Sequence, residues 1–142
     1  MITWKEVIKQ KLEKFPEIKF EEGEGFLKVF PKDTKGFFVS IDKMVKENEL
    51  TVSYAGVEVW NNHCADDPEA IRWFFFGLSN KCRLKFCYCG DVLYREIIES
   101  HFENDWCSEN ISGSIFYPFW RKRRIEYLSN DLIPFEGKFR LE

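Results

Sequence analysis

Four large aromatic residues stand side by side at Trp73-Phe74-Phe75-Phe76. They fall inside a stretch that carries the marks of a helix start. Asp66 or Asp67 can cap it, Pro68 suits the first helical position, and Glu69 complements the first turn. Successive helical residues step about 100° around the axis, so four neighbouring rings cannot share one face. Ile71, Phe74, Phe75 and Leu78 form an ordinary core stripe, which leaves Trp73 and Phe76 pointing elsewhere. A helix of this kind needs cover on more than one side. Either the rest of the chain supplies it, with Phe135 and Phe139 of the tail as cover, or a partner does. Packing is the commoner use of such rings; docking is the functional reading, because Trp and Phe are favoured interface anchors.

The remaining chain reads mostly as strands. Thr3 and Glu6 set up a capping box for a first helix with an apolar stripe of Trp4, Val7, Ile8, Leu12 and Phe15. Phe26–Phe30, Phe37–Ile41 and Leu50–Tyr54 then alternate or cluster as strands do. Gly56 reads as a bulge or tight bend, with Val57 and Val59 continuing the strand. After the second helix, Cys82–Cys89 and Val92–Ile98 flank a hairpin turn at Gly90-Asp91. Residues 99–113 show no clear period and read as strand end plus loop. Ile115–Leu128 looks extended, and Phe135, Gly137, Phe139 and Leu141 allow a short final strand. Short turns favour antiparallel pairing. The expected fold is a single α+β domain spanning 1–142, with one twisted antiparallel sheet and two helices packed on one face.

Composition narrows the function classes. With 142 residues, 44% hydrophobic and 32% charged, the chain is built to fold. A net charge of −3 weighs against a dedicated nucleic-acid binder. The opening residues are broken by charges and lack a signal-peptide pattern, so the expected compartment is the cytoplasm. No apolar run nears the roughly 20 residues of a membrane span, and no membrane partner is expected. The five cysteines then read as free thiols.

Three further segments hold candidate residues. Trp60, His63 and Cys64 lie in a polar stretch before the second helix, where a pocket and a thiol nucleophile can be imagined; neighbouring residues seldom present a nucleophile and its base to one another, and no orienting third group is visible. Cys87 and Cys89 share a strand face, yet the usual zinc spacings are absent, so no metal is expected. Arg121-Lys122-Arg123-Arg124 follows Phe116-Tyr117-Pro118-Phe119-Trp120. Such a cluster can grip phosphates beside stacked rings, or meet an acidic protein; a solvated edge strand guarded by its charges is the plainer reading. No phosphate loop, dinucleotide fingerprint or hydrolase elbow occurs, and no cofactor or catalytic residue is expected.

In size, acidity and aromatic content the chain is similar to the small immunity and inhibitor proteins of bacteria. That similarity rests on no residue motif, and no site is carried over from it. The expectation is a non-enzymatic protein-binding module, or a self-associating one, using Trp73, Phe76, Trp120, Arg121, Arg123 and Arg124. An enzyme or small-ligand binder at Trp60, His63 and Cys64 ranks second, and nucleic-acid binding through Arg121–Arg124 third.

Overall fold

The computed structural model of the protein describes residues 3–43, 49–55, 59–64, 66–114 and 116–134, with the backbone path alone for 59–63. The chain opens with helix α1 (Trp4–Leu12), where the Thr3 hydroxyl accepts from the Glu6 amide at 3.2 Å. Five strands follow: β1 (Phe20–Gly23), β2 (Phe26–Val29), β3 (Phe38–Lys43), β4 (Leu50–Ala55) and β5 (Val59–Cys64). They pair antiparallel in sequence order, as a meander. Directly opposed residues share a face, so the register lines up Leu27, Ile41 and Val52 in one row and Val29, Val39 and Tyr54 in the next. All six are buried. This face receives helix α2 (Asp67–Leu78), which touches β3, β4, β5 and also α1.

The expected single sheet is not what forms. Four later strands build a second antiparallel sheet: β6 (Cys82–Cys89), β7 (Val92–Phe102), β8 (Asp105–Gly113) and β9 (Arg123–Leu128), in the order β8-β7-β6-β9. The reason lies in the edges of β6. Its hairpin partner β7 takes one, and β9 returns to take the other. With both edges paired, β6 has no ladder left for β5, so the sheet must begin anew after α2. The helices consequently do not share one face of one sheet, because α2 is packed between the two sheets, against β3–β5 on one side and β6 on another. One continuous buried cluster joins Val39, Tyr54, Phe74 and Phe76 to Leu84, Phe86 and Ile98.

Two local readings also change. Val59 does not extend the preceding strand past a bulge; β5 runs back antiparallel to β4, with Tyr54 opposite Trp60. Residues 99–113 are no loop: β7 runs on to Phe102 and turns through Glu103-Asn104, both at positive φ (49° and 66°), into β8. Two central residues at positive φ give the hairpin turn whose twist suits flanking strands. The suggested tail strand at 135–141 lies outside the described residues.

The segment after β9 closes the molecule. Asn130 is fully buried and binds in two directions. Its Oδ1 accepts from the Phe37 amide at 2.9 Å, at the entrance to β3, and its Nδ2 donates to the Gly77 carbonyl at 2.8 Å, in the last turn of α2. On either side, the Ser129 amide donates to Lys35 O and the Leu132 amide to Leu78 O, both at 2.8 Å. The strap thus ties the first sheet to the end of α2. Gly77 allows a second close approach: a Cβ there would lie 2.4 Å from the Tyr54 ring. The Tyr54 hydroxyl, in turn, donates to the Trp73 carbonyl.

Replacing Asn130 by Ala strips partners from two buried backbone groups, which should cost about 2–4 kcal/mol. Urea unfolding of Asn130→Ala against the parent checks this, and a loss below about 1 kcal/mol would show the strap to be incidental. Gly77→Ala should destabilise by a comparable amount, about 1–3 kcal/mol, through overpacking against the Tyr54 ring.

Candidate functional site

The residues singled out from sequence separate into three places. Phe76 is fully buried and meets Trp73 edge-on, with ring centroids 5.8 Å apart. Trp73 is half-buried against the main core. Phe76 is thus sealed in the core, while Trp73 keeps part of its surface open. The side chains of Trp60 and His63 fall outside the described residues, whereas Cys64 is described and buried. Burial, then the nearby Glu69 and Asp66 carboxylates, push its thiol up to about 11. A thiol held protonated in this way is the reverse of an activated nucleophile. Cys82 is likewise buried and pushed well above its usual value by burial.

Cys87 and Cys89 lie on the far face of the second sheet. Both are buried beneath Tyr94 and the partly buried Tyr117, whose rings stack at 4.3 Å. Among the described residues, no three His, Cys, Asp or Glu side chains come together in a way that could hold a metal ion. No helix among them is long and apolar enough to cross a membrane.

The third place is different. Trp120, Arg121, Arg123 and Arg124 all lie at the surface, in the turn before β9 and at its start. The Phe119 amide donates to Tyr117 O and the Arg121 amide to Pro118 O, so Pro118 heads a tight turn rather than the extended run expected from sequence. While Tyr117 folds inward over the sheet, its neighbours project. Phe116 is 85% exposed, Phe119 68% and Trp120 73%. Three rings this bare within five residues are far from the usual state of large aromatics. Ile125 and Tyr127 on β9 extend the apolar area at 51% and 46% exposure. This strand is a sheet edge.

Charge accompanies the rings. Arg124 lies over the Tyr88 ring at 4.4 Å and forms a loose ion pair with Glu126 at 3.4 Å. Among the described residues, Arg121, Lys122 and Arg123 have no carboxylate within ion-pair distance. Arg83 shows the contrast. It is wedged between Trp106 (4.0 Å) and Tyr127 (4.3 Å), with its Nε 2.7 Å from Glu99, so its charge is already matched. The cations at 121–123 are left to solvent or to a ligand.

Beside them is a concavity of about 320 Å³, lined by Gly90, Asp91, Lys122, Arg123 and Arg124. The Gly90 amide donates to Lys122 O at 2.8 Å, which fixes the β6–β7 turn against the start of β9. Gly90 has φ +59°, which favours glycine in the turn, and a Cβ there would lie 2.7 Å from the Arg121 side chain that passes over it. Lys122 belongs to the basic cluster singled out from sequence, whereas Gly90 was read there only as part of a hairpin turn. Only the β6–β9 pairing brings them together, and no local signal reports it.

Comparison with family models, with curated proteins and with solved structures finds no match for this chain.

The thiol environments predict a labelling order. With iodoacetamide near pH 7.5, half-exposed Cys107 should react first. Cys64 should lag an unperturbed thiol by about two orders of magnitude from its thiolate fraction alone. Mass spectrometry of timed samples reads this directly; early alkylation of Cys64 would contradict the buried, protonated thiol.

Proposed function

We propose that the protein is a non-enzymatic binding module that docks an acidic segment of a partner protein on the surface formed by Phe116, Phe119, Trp120, Arg121–Arg124, Ile125 and Tyr127. The observation that carries this reading is the exposure of three large aromatic rings beside cations without carboxylate partners, in a chain whose net charge is negative. Bare rings of this size gain most from being covered, and Trp and Arg are the side chains that most often dominate interface energy. The local positive charge inside an acidic protein selects by sign: it draws in acidic partners and discourages a second negatively charged surface. The buried, protonated state of Cys64 gives no support to a thiol enzyme at the Trp60–His63–Cys64 stretch, and the reading therefore assigns no catalytic residue.

A random copolymer of Glu and Tyr supplies an acidic, aromatic probe of the right chemistry. Fluorescence anisotropy at low ionic strength should report binding, and the double charge reversal Arg123→Glu/Arg124→Glu should weaken it by about tenfold or more. Trp120→Ser should weaken it through the apolar part while leaving the salt dependence intact. These positions are exposed, so the thermal midpoint should stay within a few degrees of the parent, about the effect of 0.5 kcal/mol. Binding that ignores both variants, or no binding at low salt, overturns the proposal. Light scattering of the protein alone adds a control: a dimer dissolved by Trp120→Ser would make the partner a second copy of this chain and overturn the acidic foreign partner.

A further inference from the structure

Within the proposed docking surface, and resting on that reading, we infer that the concavity at Gly90, Asp91, Lys122, Arg123 and Arg124 is a receptor site for a single phosphate monoester carried on the partner's acidic segment. Three consecutive cations line one small hollow of about 320 Å³. That volume is at the lower end of ligand pockets and ample for one phosphorylated side chain. Asp91 shares the hollow yet closes no ion pair with any of the three. With three cationic residues bordering the hollow, a ligand with two negative charges gains more there than a carboxylate with one.

The donor set suits the group. Arginine presents a planar fork that matches phosphate oxygens two at a time, and lysine adds a mobile point charge. Arg124 is held by the Tyr88 ring at 4.4 Å, which steadies its fork. Arg121 stands over the turn, with its stem against Gly90. The exposed Trp120 directly precedes these residues and can cover the apolar part of a neighbouring side chain.

The same surroundings favour one phosphate over a nucleic-acid strand. A strand needs a positive track that follows its backbone from one phosphate to the next. Here Asp91 borders the cations in the hollow and Glu126 follows them along β9, paired with Arg124. Elsewhere in this sheet Arg83 is already matched by Glu99. The basic run thus has a carboxylate in its hollow and another next along its strand, a poor match for a long polyanion.

The probes are phenyl phosphate, phenyl sulfate and a short oligothymidylate. They offer a dianion, a monoanion of the same shape and a diester strand, and amide shifts of the labelled protein near pH 7.5, where the monoester is mostly dianionic, follow their binding. Phenyl phosphate should move the amides of Gly90, Asp91 and 122–124 and bind at least about fivefold tighter than phenyl sulfate. Lys122→Gln/Arg123→Gln should abolish that preference, while the spectrum elsewhere stays unchanged. Equal binding of the two aryl anions, indifference to the double variant, or tighter binding of the oligothymidylate each overturns the inference. Failure here with the Glu–Tyr copolymer still bound would remove the phosphate site alone. Loss of copolymer binding in the parent protein would remove the docking surface itself.

Discussion

The structure is organised by the need to bury the C-terminal half of α2 on all sides. Phe74, Phe75 and Phe76 point in three directions, and all three are buried. A single sheet can cover only one side of a helix. The inner face of β3–β5, the second sheet through β6, and α1 each take a share of the circumference. Tyr54 shows how tightly this is done. Its ring lies against Gly77, where no side chain could fit, and its hydroxyl caps a carbonyl in the middle of the helix. Burial keeps that phenol protonated far beyond its usual range, so it stays a donor at any ordinary pH.

Once the C-terminal half of α2 is enclosed, the C-terminal end of the described chain has a defined task. β9 fills the free edge of β6, and the strap behind it returns to the first sheet and the helix end. One strand therefore does two things. Its pairing side completes the second sheet, and its exposed residues Arg123, Arg124, Ile125 and Tyr127 continue the proposed docking surface that begins in the turn before it. The basic residues are tolerable at an edge because charge there also deters pairing with stray strands.

Much of the local structure was legible in the sequence. Both helices announce themselves by caps: Thr3 with Glu6, and Asp66 accepting from the Glu69 amide at 2.8 Å. The Gly90-Asp91 turn follows from glycine's freedom at positive φ. What local patterns could not report was pairing at a distance. β6 and β9 are joined across more than thirty residues, and that single ladder decides between one sheet and two. β8 was hidden for another reason. It is an edge strand, largely exposed on both faces, so burial never imposed an alternating pattern on it. The turn at Glu103-Asn104 was masked as well, because a glutamate seldom adopts positive φ. For the candidate site, sequence found the basic cluster and Trp120, while the Gly90 wall of the hollow required the fold. The side-on rings of α2 divide: Phe76 is sealed in the core, and Trp73 keeps part of its surface open.

One short distance along the chain links the outside to the inside. Only Ser129 separates the last residue of β9 from Asn130. The outer strand is thus moored almost directly to the middle of the molecule, like a handle bolted to a frame. Between that handle and the hydrogen bonds at the β3 entrance and the final turn of α2 there is no slack loop. The region that meets the outside world is mechanically continuous with the best-protected part of the protein.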